Sequence, residues 1–234
     1  MKARAGLPLI LGLVLALSGC GPRYFQAIVL PDTTEYRLKR IAVFPFESAP
    51  AVTASTAPSG EEHLAAQRVK VEPEAQEVIT DIFMEKLKKA GKFLLISRED
   101  VATVMDRMGL KMEGLPPRDI VLKLAQSLRV DAVLMGSVFA YTERRGGPWA
   151  VDRPATVGFT ASLISIHNGQ TLWTGNYFER QQSLTENIAL LPLFWKRHGR
   201  WLTARELAEY GVEQAIKTWP APQEDTDLKR KTPS

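Results

Sequence analysis

The chain has 234 residues, with 45% hydrophobic and 24% charged residues and a formal net charge of +4. These are ordinary values for a folded protein. They exclude a mainly disordered polar chain and the dense basic surface of a nucleic-acid binder. The single cysteine, Cys20, excludes an internal disulfide framework.

The amino terminus carries an export signal. Lys2 and Arg4 form a short positive region, Leu7 to Leu17 is apolar and uncharged, and small residues lead to Cys20. The apolar run is shorter than the roughly 20 residues of a membrane span, so residues 1–19 are expected to be removed. Ser18-Gly19-Cys20 resembles the lipobox of bacterial lipoproteins. That resemblance implies lipidation of the Cys20 sulfur, cleavage just before it and acylation of the new amine. An ordinary signal peptide, or a structural cysteine, are the competing readings. Several acyl chains hold a protein firmly where one holds it marginally. Gly21 replaces the Asp that resembles an inner-membrane retention signal, which implies the outer membrane, facing the periplasm, if the envelope is Gram-negative. Loss of Lys2 and Arg4 also lowers the formal charge by two.

Residues 20–39 read as a lipidated tether. Pro22, Pro31, Asp32 and Thr33 predict mostly irregular backbone, although Tyr24, Phe25, Ile28, Val29 and Leu30 could dock on the domain. The domain is expected over residues 40–219. It opens on Arg40-Ile41-Ala42-Val43-Phe44-Pro45-Phe46, an apolar run that suits a strand covered on both faces. Ser48 to Gly60, rich in Ala, Ser, Thr and Pro, reads as a flexible loop. A helix is predicted over Pro73 to Ala90, with a stripe of Val78, Ile79, Ile82, Phe83 and Leu87 and a stop at Gly91.

A short strand over Phe93 to Ile96 precedes a helix capped by Ser97, with Asp100 three residues on. Val101, Val104, Met105 and Met108 form its apolar face. Gly114-Leu115-Pro116-Pro117 is a loop. A third helix spans Arg118 to Leu128, with Ile120, Val121, Leu124, Ala125 and Leu128 as its stripe. Val130 to Tyr141 reads as a second buried strand, and Arg144 to Pro148 breaks the chain. Two long strands then face each other across Asn168-Gly169, a hairpin signal. Val157, Phe159, Ala161 and Leu163 alternate there with Thr156, Gly158, Thr160 and Ser162, which predicts a half-exposed antiparallel pair. Thr203 to Glu206 is a capping box for a last helix reaching Trp219, and residues 220–234 are a polar tail expected to be disordered. The fold class is therefore α/β: one domain, a mixed sheet with an antiparallel hairpin, and helices packed on it.

Four phrases resemble a known group of envelope domains. These are Arg40 to Phe46; Phe93-Leu94-Leu95-Ile96-Ser97-Arg98-Glu99-Asp100; Ala132-Val133-Leu134-Met135-Gly136-Ser137-Val138; and the hairpin from Ala161 to Trp173. They are similar to the periplasmic domain of curli-secretion lipoproteins, and recur in penicillin-binding-protein activator lipoproteins and the amino-terminal domain of TolB. The resemblance covers roughly Arg40 to Phe178. It implies a scaffold used for different non-catalytic tasks and carries over no catalytic residue. The curli group also resembles a pore with long transmembrane hairpins, whose strands need ~9–11 alternating residues. The charged link here, with Glu143, Arg144, Arg145, Asp152 and Arg153, predicts no pore.

His63, His167 and His198 lie far apart in sequence, and none has metal-ligand spacing to other candidate ligands. No nucleophile elbow, phosphate loop or dinucleotide fingerprint occurs. Gly136-Ser137 reads as a small spot in a packed strand, and Glu99 and Asp100 as first-turn helix charges. No enzyme activity, cofactor or metal is expected. The least ordinary stretch is Ile188 to Trp201. It holds Leu191, Leu193, Phe194 and Trp195, followed by Lys196, Arg197 and Trp201. Three readings stand for it: an apolar half packed on the sheet, contact with a protein partner, or contact with the membrane interface. The sequence thus points to a membrane-anchored, periplasm-facing lipoprotein that binds an envelope protein partner, with a homo-oligomer compatible. The alternative is an envelope hydrolase or a small-ligand-binding lipoprotein.

Overall fold

The computed structural model describes residues 24–30, 38–48, 70–110, 118–148, 151–181 and 199–220. In chain order the elements are β1 (Phe25–Val29), β2 (Arg40–Val43), β3 (Glu47–Ser48), α1 (Ala75–Ala90), β4 (Leu94–Ile96), α2 (Arg98–Arg107), α3 (Arg118–Ser127), β5 (Ala132–Thr142), β6 (Arg145–Gly146), β7 (Val151–Arg153), β8 (Thr156–Ser165), β9 (Thr171–Arg180) and α4 (Ala204–Lys217). One mixed seven-stranded sheet has the order β1-β9-β8-β5-β2-β4, with β3 also on β5. β2 pairs in parallel with β4 and β5, whereas β5, β8, β9 and β1 are successively antiparallel. β6 and β7 form a separate small hairpin.

Strand periodicity sends alternate residues to opposite faces. Along β2 and the residue after it, Ile41 and Val43 enter one hydrophobic cluster, and Ala42 and Phe44 the other. The first cluster joins the sheet to α1 and α4 through Ile79, Ile82, Phe83, Leu207, Ala208 and Val212. The second joins it to α2 and α3 through Val101, Met105, Val121, Leu124 and Ala125. Helices therefore cover both faces of the parallel half, which explains why its strands read as continuous apolar runs.

Local chemistry starts and stops the helices where the sequence indicates. Ser97 Oγ accepts from Asp100 N at 3.1 Å. Thr203 and Glu206 form a reciprocal capping box at the start of α4. Gly91 takes φ 63° at the end of α1, where its N–H reaches the carbonyls of Leu87 and Lys88. That left-handed conformation strains residues with a Cβ.

The structure corrects four expectations. Phe25–Val29 is not an irregular tether but an edge strand, paired with Trp173–Tyr177. The break after Arg144 contains the β6–β7 hairpin. The β8–β9 pair is not half-exposed: Thr156, Gly158 and Asn176 are buried together with the apolar positions. Phe139 and Phe178, with ring centroids 6.2 Å apart, flank Gly158 and fill the space its missing side chain leaves. Finally, Met108, expected on the apolar face of α2, lies beyond its end and is 40% exposed.

Candidate functional site

One end of the sheet gathers most of the chain's entries and exits. Tyr24, just before β1, accepts through its carbonyl from Phe178 N at 3.0 Å. β5 and β9 end here and β8 begins, with Thr142 opposite Thr156 and Thr156 opposite Arg180. The β6–β7 hairpin projects from the link between β5 and β8. Lys70 joins the same end through its carbonyl, which accepts from Thr142 Oγ1 at 3.0 Å and from Tyr141 N at 3.3 Å.

Carboxylates tie these segments together. Glu72 Oε1 accepts from Glu143 N at 3.1 Å. Glu143 accepts in turn from Arg144 N at 2.8 Å and from Ala204 N, the first residue of α4, at 3.0 Å. Glu206 takes the Arg200 guanidinium and the Thr203 N–H. The Arg200 hydrogen bond is the main reason the Glu206 carboxyl sits below its usual range. Burial, then the Glu143 and Glu72 charges, pushes the Tyr141 hydroxyl up to about 12. Tyr141 is therefore neutral at any physiological pH.

The outer layer of this end is basic. Lys70, Arg145, Arg153, Arg180 and Arg205 are exposed, against exposed Glu74, Glu77 and Asp152. Glu72 and Glu143 are half-buried, and Glu179 is buried with the Tyr177 hydroxyl donating to it at 2.8 Å. Both α1 and α4 begin at this end, because Glu72 N bonds Tyr141 O and Ala204 N bonds Glu143. The positive ends of their dipoles add to the local potential.

A concavity of about 240 Å³ lies between β2 and the start of α2, lined by Val43, Pro45, Arg98, Glu99, Val101 and Ala102. Its polar groups already hold structural posts. Arg98 pairs with Asp81 at 2.5 Å and reaches Glu77 at 3.8 Å. The Glu99 carboxyl is lowered first by its own backbone N–H and then by Ser97. At Gly136, the ring of Phe46 occupies the place of a side chain, so Gly136-Ser137 is a packed strand position. His167 adjoins the β8–β9 turn and its N–H bonds Ser165 Oγ at 3.2 Å. Among the described residues, no three His, Cys, Asp or Glu side chains are grouped to hold a metal.

Cys20, residues 1–19, His63, His198, the tail from 221, and Leu191, Leu193, Phe194, Trp195, Lys196 and Arg197 lie outside the described residues. Trp201 lies within them and is only 9% exposed. Its N–H bonds the Pro148 carbonyl beside the β6–β7 hairpin at 2.9 Å. Its indole belongs to the interior and leaves the surface proposed for Ile188 to Trp201. The described residues on either side, Gln181 after β9 and Trp201, lie at the same end of the sheet, bonded to the carbonyls of Ala155 and Pro148. Sequence reasoning missed this end as a unit: the carboxylates that build it join residues 61 and 71 positions apart. The only local sign was the cluster of charges after Thr142.

No protein-family model matches the chain, and no curated protein matches it by sequence. Solved structures resemble it at low identity. The PelC dodecamer from Paraburkholderia phytofirmans is 16% identical, with a TM-score of 0.47, covering 85% of this chain and 98% of that one. The lipoprotein GNA1162 from Neisseria meningitidis is 19% identical, with a TM-score of 0.43, covering 77% of this chain and 99% of that one. The LpoB C-terminal domain from Escherichia coli is 16% identical, with a TM-score of 0.40, covering 61% and 83%. The α/β assignment rests on the chain's own sheet order and packing: a mixed sheet, parallel on one side and antiparallel on the other, between two layers of helices.

Proposed function

We propose that the chain is an exported lipoprotein, acylated on Cys20, whose domain faces the periplasm from the outer membrane as a non-catalytic binding or assembly component. The observation that carries this reading is Ser18-Gly19-Cys20 at the end of a short apolar segment led by Lys2 and Arg4. The polar groups best placed for chemistry support the non-catalytic half of it. Glu143, Glu72, Glu206 and Ser97 each accept a backbone N–H, and Arg98 is held by Asp81. Contact with an envelope protein is assigned to the segment holding Leu191, Leu193, Phe194, Trp195, Lys196 and Arg197, where aromatic and basic residues adjoin in sequence. Cys20→Ser is expected to abolish incorporation of a fatty-acid analogue and to leave the protein unprocessed or mislocalised. Equal label on wild type and variant would sink the reading.

The cleft beside α2 favours a second reading, small-ligand binding. Ala102 is exposed at its rim, so Ala102→Trp fills the space without emptying the core. A ligand that raises the unfolding midpoint of wild type but not of Ala102→Trp would favour this reading over the first.

A further inference from the structure

We propose that the end of the sheet carrying Tyr24 and the β6–β7 hairpin docks on the anionic headgroup layer of the membrane that holds Cys20. The proposal rests on acylation of Cys20 and adds an orientation and a ligand to it.

Length supplies the first argument. An extended chain spans at most about 3.3–3.6 Å per residue. Tyr24 follows Cys20 by four positions, so its backbone stays within about 14 Å of the acylated residue. Tyr24 is not part of a loose leader, because its carbonyl is bonded to Phe178 N and β1 begins at the next residue. The membrane anchor is therefore tied closely to one end of a rigid sheet. β5 runs 11 residues from that end to the other, a distance of roughly 35 Å at ~3.3 Å per residue. With the near end docked, the turns at Gly91 and Asn168-Gly169 stand away from the bilayer.

Charge supplies the second argument. The exposed layer of the near end presents Lys70, Arg145, Arg153, Arg180 and Arg205, outnumbering exposed Glu74, Glu77 and Asp152. The remaining carboxylates at this end are turned inward, on Glu143 N, Ala204 N and the Tyr177 hydroxyl. Arg145 and Arg153 are opposite one another on β6 and β7, so the hairpin presents two guanidinium groups side by side. Guanidinium binds phosphate oxygens in paired hydrogen bonds, and basic groups near an anionic bilayer are attracted within a Debye length. A short tether delivers them into that range.

The test uses the full-length protein purified from cells and inserted in phosphatidylcholine vesicles with or without phosphatidylglycerol. Single thiols are introduced at Asp152→Cys, near the anchor, and at Lys92→Cys, beside Gly91 at the far end. Each is labelled with a fluorophore, and a paramagnetic lipid headgroup supplies the quencher. Mass spectrometry of the same sample establishes whether Cys20 is acylated. The expected result is several-fold stronger quenching at position 152 than at 92, increased by phosphatidylglycerol and lost in an Arg145→Glu, Arg153→Glu background. Acylated protein with equal quenching at both positions overturns the proposal, as does quenching at 152 that ignores both the lipid charge and the arginine replacements. Absence of acyl chains on Cys20 instead overturns the reading on which the proposal rests.

Discussion

The two ends of the sheet are closed by different chemistry. At the far end, tight turns and one aspartate do the joining, the aspartate across 91 and 92 positions. Asp131 Oδ2 accepts from both Lys39 N and Arg40 N, at 2.8 and 2.7 Å. Asn168 Oδ1 accepts from Gln170 N at 3.0 Å, and Gly169 takes φ 69°. At the near end, Glu72 and Glu143 link segments distant in sequence, and Arg144 Nη1 and Gln181 Oε1 are buried without a partner among the described residues, as is Trp219 Nε1 beside Phe93 at the far end. Buried polar atoms are normally satisfied. Both ends therefore carry a buried polar atom that closure leaves unmatched. The near end differs in lying next to the anchor site, since Tyr24, four residues after Cys20, is bonded there to Phe178.

The core between the ends sets the largest expected effect. Trp173 is fully buried, packs on Trp219 with centroids 5.6 Å apart, and donates from Nε1 to Thr218 Oγ1 at 2.9 Å. Trp173→Ala should cost ~3–5 kcal/mol, read as a fall in the urea midpoint. Next comes the far end. Asp131→Ala strips an acceptor from two backbone N–H groups and should cost roughly 1–3 kcal/mol, toward the lower figure because water reaches the site. A loss above that of Trp173→Ala would mean the far end is not merely a closure.

The near end offers a smaller and pH-dependent effect. Thr203→Ala removes half of the capping box and should cost about 1 kcal/mol. Glu206 titrates below its ordinary value in the folded protein because Arg200 holds it ionised. Its contribution to stability is therefore fully present above the unfolded carboxyl value of about 4.3 and is lost as pH falls through the lower folded value. The gap in thermal midpoint between wild type and Glu206→Gln should be open at pH 7 and close in acid; a constant gap would contradict the ion pair. Smallest of all, Arg145→Glu with Arg153→Glu should change stability by less than ~0.5 kcal/mol, since both side chains are exposed and neither closes a turn. A large loss would recast the hairpin as a structural part of the near end.

Separation along the chain explains what could be read in the sequence. Ser97 with Asp100, Thr203 with Glu206, Gly91 and Asn168-Gly169 all act within a few residues, and each sits where its local chemistry indicates. Apolar runs such as Ile41 to Phe44 also announce a strand buried on both faces. β1 was hidden because the prolines at 22 and 31 dominate its surroundings, and its pairing partner lies about 150 residues away on β9. Burial of Gly158 was hidden because glycine has no side chain to signal it; Phe139 and Phe178 supply the contact. The near end was illegible for a related reason: Glu143 looks like a loop charge until Ala204 and Glu72 are brought to it.

Membrane attachment depends on Cys20 being the acylated first residue of the mature protein. Mass spectrometry of the amino-terminal peptide, taken from protein isolated from membranes, addresses it without any variant. The account predicts a peptide that begins at Cys20 and carries fatty acyl chains on its sulfur and amine. A peptide that begins elsewhere, or a Cys20 thiol free to react with an alkylating reagent, would contradict it.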